Sequence, residues 1–204
     1  MLELSQIQDW LSRLEGSDGG SSQQIRDRAI AQLRRLGAEQ VFPLLVPRLA
    51  SPRLEDRSQA CAGILYTDAA KGMPYVLALL DDPEPAVRLS ICDLLYVFGG
   101  DDVTEILIGI LQRDRDPQVR GVAAAILGVI GTPAAIPHLI QALDSDHESD
   151  IHGHSPSGGA AAALDKMVGV EEGAESDGGI ESQTHNLERL KQLAWKRYEQ
   201  YCRP

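Results

Sequence analysis

The sequence predicts an all-α protein, a short right-handed α-solenoid of about five helical pairs with terminal capping helices. Three observations predict it. First, the chain repeats: Gly37, Asp68, Gly99, Gly131 and Val168 share one register, at intervals of 31, 31, 32 and 37 residues. Second, the apolar residues around these marks follow helical spacing. Third, aromatics are only 4% of the 204 residues while the hydrophobic fraction is 43%, so the core must be built from Leu, Ile, Val and Ala.

Each repeat opens with an amphipathic helix that ends near its mark. Eight residues before the marks stand Ala29, Ala60, Ile91, Ala123 and Ala160, and four before stand Leu33, Ile64, Leu95, Leu127 and Leu164. Leu36, Thr67, Phe98, Ile130 and Met167 precede the marks directly. These offsets share one helical face. Glycine suits a helix end because it tolerates the left-handed conformation. A second helix follows. Pro43, Pro74 and Pro137, with Glu105 in the third repeat, are expected in its first turn, where proline's missing N–H costs nothing. Leu45, Val76, Leu107 and Leu139 then head its buried stripe. No such pair can bury its apolar face alone, so the pairs must stack.

The chain divides accordingly. Residues 1–22 read as an N-terminal capping helix and linker, with Leu4, Ile7, Leu11 and Leu14 on one stripe. Residues 23–146 hold four repeats. Residues 147–168 are an insertion plus a degenerate fifth first-helix, in which Ser157 stands at the position of the repeat arginine. Residues 169–186 read as an acidic flexible loop. Residues 187–204 read as a C-terminal capping helix carrying Leu187, Leu190, Ala194, Tyr198 and Tyr201.

The segments DPEPAVRLSICDLLYVFGG and DPQVRGVAAAILGVIGTPAAIPHLIQAL resemble HEAT repeats, and more narrowly the HEAT-like units of the phycobilisome lyase group. The resemblance implies a protein-binding scaffold or assembly factor in phycobiliprotein or photosynthetic complex assembly. It also implies an alternative, a bilin lyase or lyase subunit attaching or detaching a tetrapyrrole at a phycobiliprotein cysteine. The implied partners are a phycobiliprotein subunit or a second HEAT-repeat subunit. A phycocyanobilin-type bilin is the cofactor that the resemblance allows, and no cofactor is required for a scaffold.

Candidate site residues fall into three sets. Solenoids usually line their concave face with second helices, which nominates Glu39, Arg48, Asp102, Glu105, His138 and Gln141, with Gln40 beside them. Arg57, Arg88 and Arg120 recur at one repeat position and form either a structural ladder with acids such as Asp81, Asp82, Asp114 and Asp116 or a grip for ligand carboxylates. Asp150, His152 and His154, next to Asp146, His147 and Glu148, have residue types that suit zinc or iron. Their Ser/Gly-rich setting also suits a plain solvated loop or a pH-sensitive one, so the sequence does not require a metal. Catalytic residues remain unknown: there is no nucleophile-and-base motif, phosphate loop or dinucleotide fingerprint.

Charge and cysteine usage exclude further classes. The net charge of −11 disfavours nucleic acid. It is also unevenly spread: residues 144–186 hold ten of the thirty acids against one base, Lys166. No apolar run approaches a membrane span, so integral membrane association is not expected. Cys61, Cys92 and Cys202 make no disulfide framework, and the expected location is the cytoplasm. Cys61 and Cys92 fall on the first-helix core side and Cys202 near the exposed terminus.

Overall fold

The structure, a computed structural model, describes residues 6, 7, 9, 20–100, 102–130, 132–149, 155–168 and 180–203, the side chains of 20–23, 25, 26 and 180–185 excepted. The described residues form ten α-helices, with no strand among them. The fold class is the all-α stack of helical pairs that the periodicity predicts. Two compact units divide the chain, residues 1–98 and 99–204.

The first unit contains α1 (Gly20–Leu36), α2 (Ala38–Leu45), a 3-10 segment (Val46–Ala50), α3 (Leu54–Thr67), α4 (Ala69–Leu77) and α5 (Pro85–Phe98). The first helices of its repeats form a row, with α3 packed against both α1 and α5, and α2 and α4 pack against α3 as second helices. Of the expected N-terminal cap, residues 6, 7 and 9 are helical, with Ile7 fully buried. The rest of residues 1–19 lies outside the described residues.

The second unit contains α6 (Val103–Arg113), α7 (Pro117–Ile130), a 3-10 turn (Pro133–Ala135), α8 (Ile136–Ser145), α9 (Pro156–Val168) and α10 (Ile180–Tyr201). Here α7 and α9 pair as first helices, α6 packs on α7, α8 packs on α9, and α10 lies against α8, α9 and the 3-10 turn.

The repeat positions behave as their spacing requires. Ala29, Ala60, Ile91, Ala123 and Ala160 are buried, as are Leu33, Ile64, Leu95, Leu127 and Leu164. Leu45, Val76, Leu107 and Leu139 are fully buried on the second helices. Flanking positions such as Leu36, Phe98, Leu77 and Ile108 are only half-buried, at the edges of the stripe. Burial of one such Leu or Ile contributes about 1.5–3 kcal/mol.

Three local expectations are corrected. Pro137 does lie in the first turn of α8, but Pro43 and Pro74 stand inside α2 and α4, which start at Ala38 and Ala69. The connections leave no room for a later start. Gly37 alone links α1 to α2, in the left-handed region at φ 75°, and Asp68 caps α4 by accepting the Lys71 amide at 3.1 Å. Each interior proline forfeits one helical hydrogen bond, and both helices end within four residues of it. Left-handed termination by glycine holds only at Gly37 among the described residues. Finally, α1 and α10 begin at Gly20 and Ile180, inside the stretches expected as linker and loop.

One packing feature of the second unit was not expected. A Cβ on Gly128 would lie 2.4 Å from Ala163 Cα, and one on Gly159 would lie 2.5 Å from the Gly121 carbonyl oxygen. The α7 and α9 backbones therefore approach closely where Gly121, Gly128, Gly159 and Ala163 face one another. The loss of the repeat arginine in α9 goes with a closer seam rather than a weaker one.

Candidate functional site

The repeat arginines are built the same way at each joint. Arg57, Arg88 and Arg120 sit in the first turn of α3, α5 and α7. Each turns its Nη1 back to the carbonyl six residues earlier: Ser51 at 2.9 Å, Asp82 at 2.7 Å and Asp114 at 2.8 Å. This satisfies joint carbonyls that no helix ladder reaches. In Arg57 and Arg120 the remaining guanidinium edge takes a carboxylate from the next joint. Arg57 Nε and Nη2 donate to Asp82 at 2.7 and 2.8 Å, and Arg120 Nε and Nη2 donate to Asp146 at 2.6 and 2.9 Å. Both forks are bidentate, the strong geometry for this pair.

Electrostatics follow from burial and pairing. The Arg57 and Asp82 side chains are 9% and 4% exposed. Burial pushes the Asp82 carboxyl up, but the Arg57 hydrogen bonds, the Glu84 amide at 2.9 Å and the Arg57 and Arg88 charges together hold it below the usual range. Asp82 hydrogen bonding raises Arg57, and Asp146 raises Arg120, against the opposing effect of burial.

Asp146 and Glu148 are partners that the sequence alone did not give to Arg120. Glu148 accepts from its Nη2 at 2.9 Å. These acids were grouped with the histidines, but the structure spends them on closing the fourth joint. Asp150, His152 and His154 lie outside the described residues. Among the described residues no cluster of His, Cys, Asp and Glu could hold a metal ion.

The second-helix candidates divide between the two units. In the first, Glu39 and Gln40 are exposed on the first turn of α2. Arg48 departs from an open-face position: the 3-10 turn directs it to Asp56 on α3, to which the Ser51 hydroxyl also donates at 2.8 Å. Its side chain is 12% exposed, and its Nε is buried without a partner. The Ser51 hydroxyl first, and then the Arg48 and Arg53 charges, hold Asp56 below the usual carboxylate range despite desolvation.

In the second unit, Asp102 and Glu105 are exposed at the start of α6. Gln112 lies seven residues after Glu105, on the same α6 stripe. His138 and Gln141 share one cleft with Gln112, Ser145 and Asp146, floored by Leu111 and Ala142, with a volume of about 200 Å³. Gln112 Nε2 lies 2.8 Å from His138 Nδ1. An amide nitrogen only donates, so Nδ1 accepts in this contact. The Ser145 hydroxyl donates to the Gln141 carbonyl at 2.7 Å and keeps its lone pairs. The cleft therefore offers donors and acceptors suited to a polypeptide backbone or polar side chains. Gln112 and Ser145 were missed in sequence. Their signal was available as the i+7 partners of Glu105 and His138.

Cys61 and Cys92 are buried and Cys202 is exposed. Burial, and then the Asp82 charge, pushes the Cys61 thiol up to about 12. Among the described residues no helix is long and apolar enough to cross a membrane. No curated protein matches the sequence. A family model described as HEAT repeats matches residues 73–154, so over α4 to α8 and into the insertion the chain is similar to HEAT-repeat proteins.

Proposed function

We propose that this chain is a cytoplasmic protein-binding scaffold or assembly factor, with phycobiliprotein or other photosynthetic complex assembly as its setting. HEAT repeats generally mediate protein interactions, and the match over residues 73–154 supports that general role. The observation that carries the reading is the α6–α8 cleft. It is polar, open and equipped with side chains that the fold does not use up, whereas the repeat arginines are consumed by the joints. The phycobiliprotein setting is supported by the resemblance of the repeat segments to the lyase group.

A bilin lyase is the alternative implied by the same resemblance. The described arginines do not fit a propionate grip: Arg57 and Arg120 already hold carboxylates on one edge and a carbonyl through Nη1, and Arg88 is 2% exposed. No lyase step is therefore assigned to them. The test is titration of the full chain with phycobiliprotein α and β subunits, read by calorimetry. Saturable binding that is lost on Gln141→Arg supports the reading. No binding to either subunit overturns the setting, and binding unchanged by Gln141→Arg overturns the cleft. Free phycocyanobilin forms a second arm, where a red-shifted absorbance with induced circular dichroism would instead favour the lyase.

A further inference from the structure

The last helix leaves one face uncovered, and that face is not uniform. The docked side of α10 is the stripe Leu187, Leu190, Ala194 and Tyr198. Ala194 is fully buried and the others are half-buried. Lys191 pins the helix through an ion pair to Asp144 of α8, and Glu188 of the same helix holds the ammonium from 2.8 Å. Beside this stripe a slot of about 350 Å³ opens between α8 and α10, lined by Ile140, Lys191, Gln192, Trp195, Lys196 and Glu199. Trp195 remains 45% exposed, with its ring tilted against Tyr198 at 5.4 Å. An exposed Trp costs hydration free energy unless something covers it.

Charge says what covers it. Lys196 lines the slot, and Arg189 lies seven residues earlier on the same helical stripe. Arg197 follows directly. All three are exposed, and none makes an ion pair among the described residues. Glu199 is the one acid at the slot itself. The chain as a whole carries −11, so this is a local reversal of sign next to an exposed indole. The apolar floor that Ile140 and Trp195 give the slot suits a polypeptide with a bulky apolar side chain better than a phosphate backbone.

We propose that the slot between α8 and α10 docks a short acidic segment of a partner protein. One bulky apolar side chain of that segment seats over Ile140 against Trp195, and its carboxylates lie along Lys196 and Arg189. The slot shares no lining residue with the α6–α8 cleft, so the two surfaces can serve different partners or two parts of one. Interfaces of this kind concentrate their affinity in a buried aromatic anchor and use the charges for selection.

The test titrates the full chain with a fluorescein-labelled peptide of alternating Glu or Asp with Leu and Phe, and with the same peptide carrying Lys for every acid. Anisotropy is read for wild type, Lys196→Glu and Trp195→Ala, with circular dichroism as the folding control. The expected result is saturable binding of the acidic peptide, at least about tenfold weaker for the lysine version and about fivefold weaker for Lys196→Glu, and weakening with salt. Lys196 is exposed, so its variant keeps the fold if Trp195→Ala loosens α10. Equal binding of the two peptides overturns the proposal, as does Lys196→Glu binding like wild type. Tighter capture of a single-stranded oligonucleotide or of phosphatidylserine vesicles also overturns it, as does Trp195-dependent self-association in sedimentation.

Discussion

Removing the Asp82 carboxylate should destabilise the protein far more than its place in a surface joint suggests. Asp82→Ala strips both hydrogen bonds from Arg57 and leaves that guanidinium 9% exposed and uncompensated, since only its Nη1 retains the Ser51 carbonyl. It also removes the acceptor of the Glu84 amide at the start of α5. Breaking a buried pair from one side costs about 3–5 kcal/mol, because the stranded charge must stay desolvated or drag the helix open. With a urea slope of about 2 kcal/mol/M, the unfolding midpoint followed by circular dichroism should fall by about 2 M. The double variant Arg57→Met with Asp82→Leu should recover most of that loss, since neither residue is then left charged and alone. Glu148→Ala supplies the contrast: Glu148 is 64% exposed, so its bond to Arg120 should be worth less than about 1 kcal/mol. A fall of under about 0.5 M for Asp82→Ala, or a double variant no better than the single one, would refute the argument that this pair is buried and costly to split.

Four further outcomes are expected. Gly128→Ala drives a Cβ into the Ala163 backbone and should cost about 1–3 kcal/mol in the same melt, whereas Gly100→Ala, with nothing within 4 Å, should cost nothing measurable. Gly159→Ala meets the Gly121 carbonyl oxygen at 2.5 Å and should behave like Gly128→Ala. Asp56 and Asp82 are both held below their unfolded values, so their stabilisation is complete above about pH 4 and is lost as pH falls through the folded values. The midpoint should therefore drop on acidification below about pH 4, and much less so in the Arg57→Met with Asp82→Leu background. At pH 8 a thiol reagent should modify Cys202 at once and Cys61 and Cys92 only on unfolding, because burial both shields them and keeps the Cys61 thiol protonated.

What the sequence revealed, and what it hid, follows from the range of each interaction. The buried rows at Ala60, Ile64 and Val76 and their counterparts were legible because helical periodicity is local, and one repeat predicts the next. The partner of Arg120 was not legible. Asp146 lies 26 residues further on, beside an insertion whose histidines suggested a different grouping. The early starts of α2 and α4 were hidden by Pro43 and Pro74, whose usual meaning was overridden by one-residue connections. The α7–α9 seam was hidden for a related reason: Gly121, Gly128, Gly159 and Ala163 each read as ordinary small residues until two helices are laid together.

Two of these, the Arg120 clamp and the small-residue seam, lie in the second unit where the repeat rule lapses, and so does the slot against α10. A repeat rule is a rule about stacking, and each residue that obeys it is spent on its neighbour. Arg57 shows this directly, since its guanidinium carries a carbonyl and a carboxylate and has nothing left to offer a ligand. Under the proposed function, recognition falls to residues that the rule does not claim: Gln112, His138 and Gln141 on the second helices, and Trp195 and Lys196 on a helix that belongs to no repeat. Both surfaces draw on α8, the cleft through His138 and Gln141 and the slot through Ile140, so a partner that reads both would carry a polar segment for one and an acidic segment with an apolar anchor for the other. Gln141→Arg and Lys196→Glu should therefore each weaken such a partner, and a double variant that binds no more weakly than the poorer single one would refute two separate surfaces.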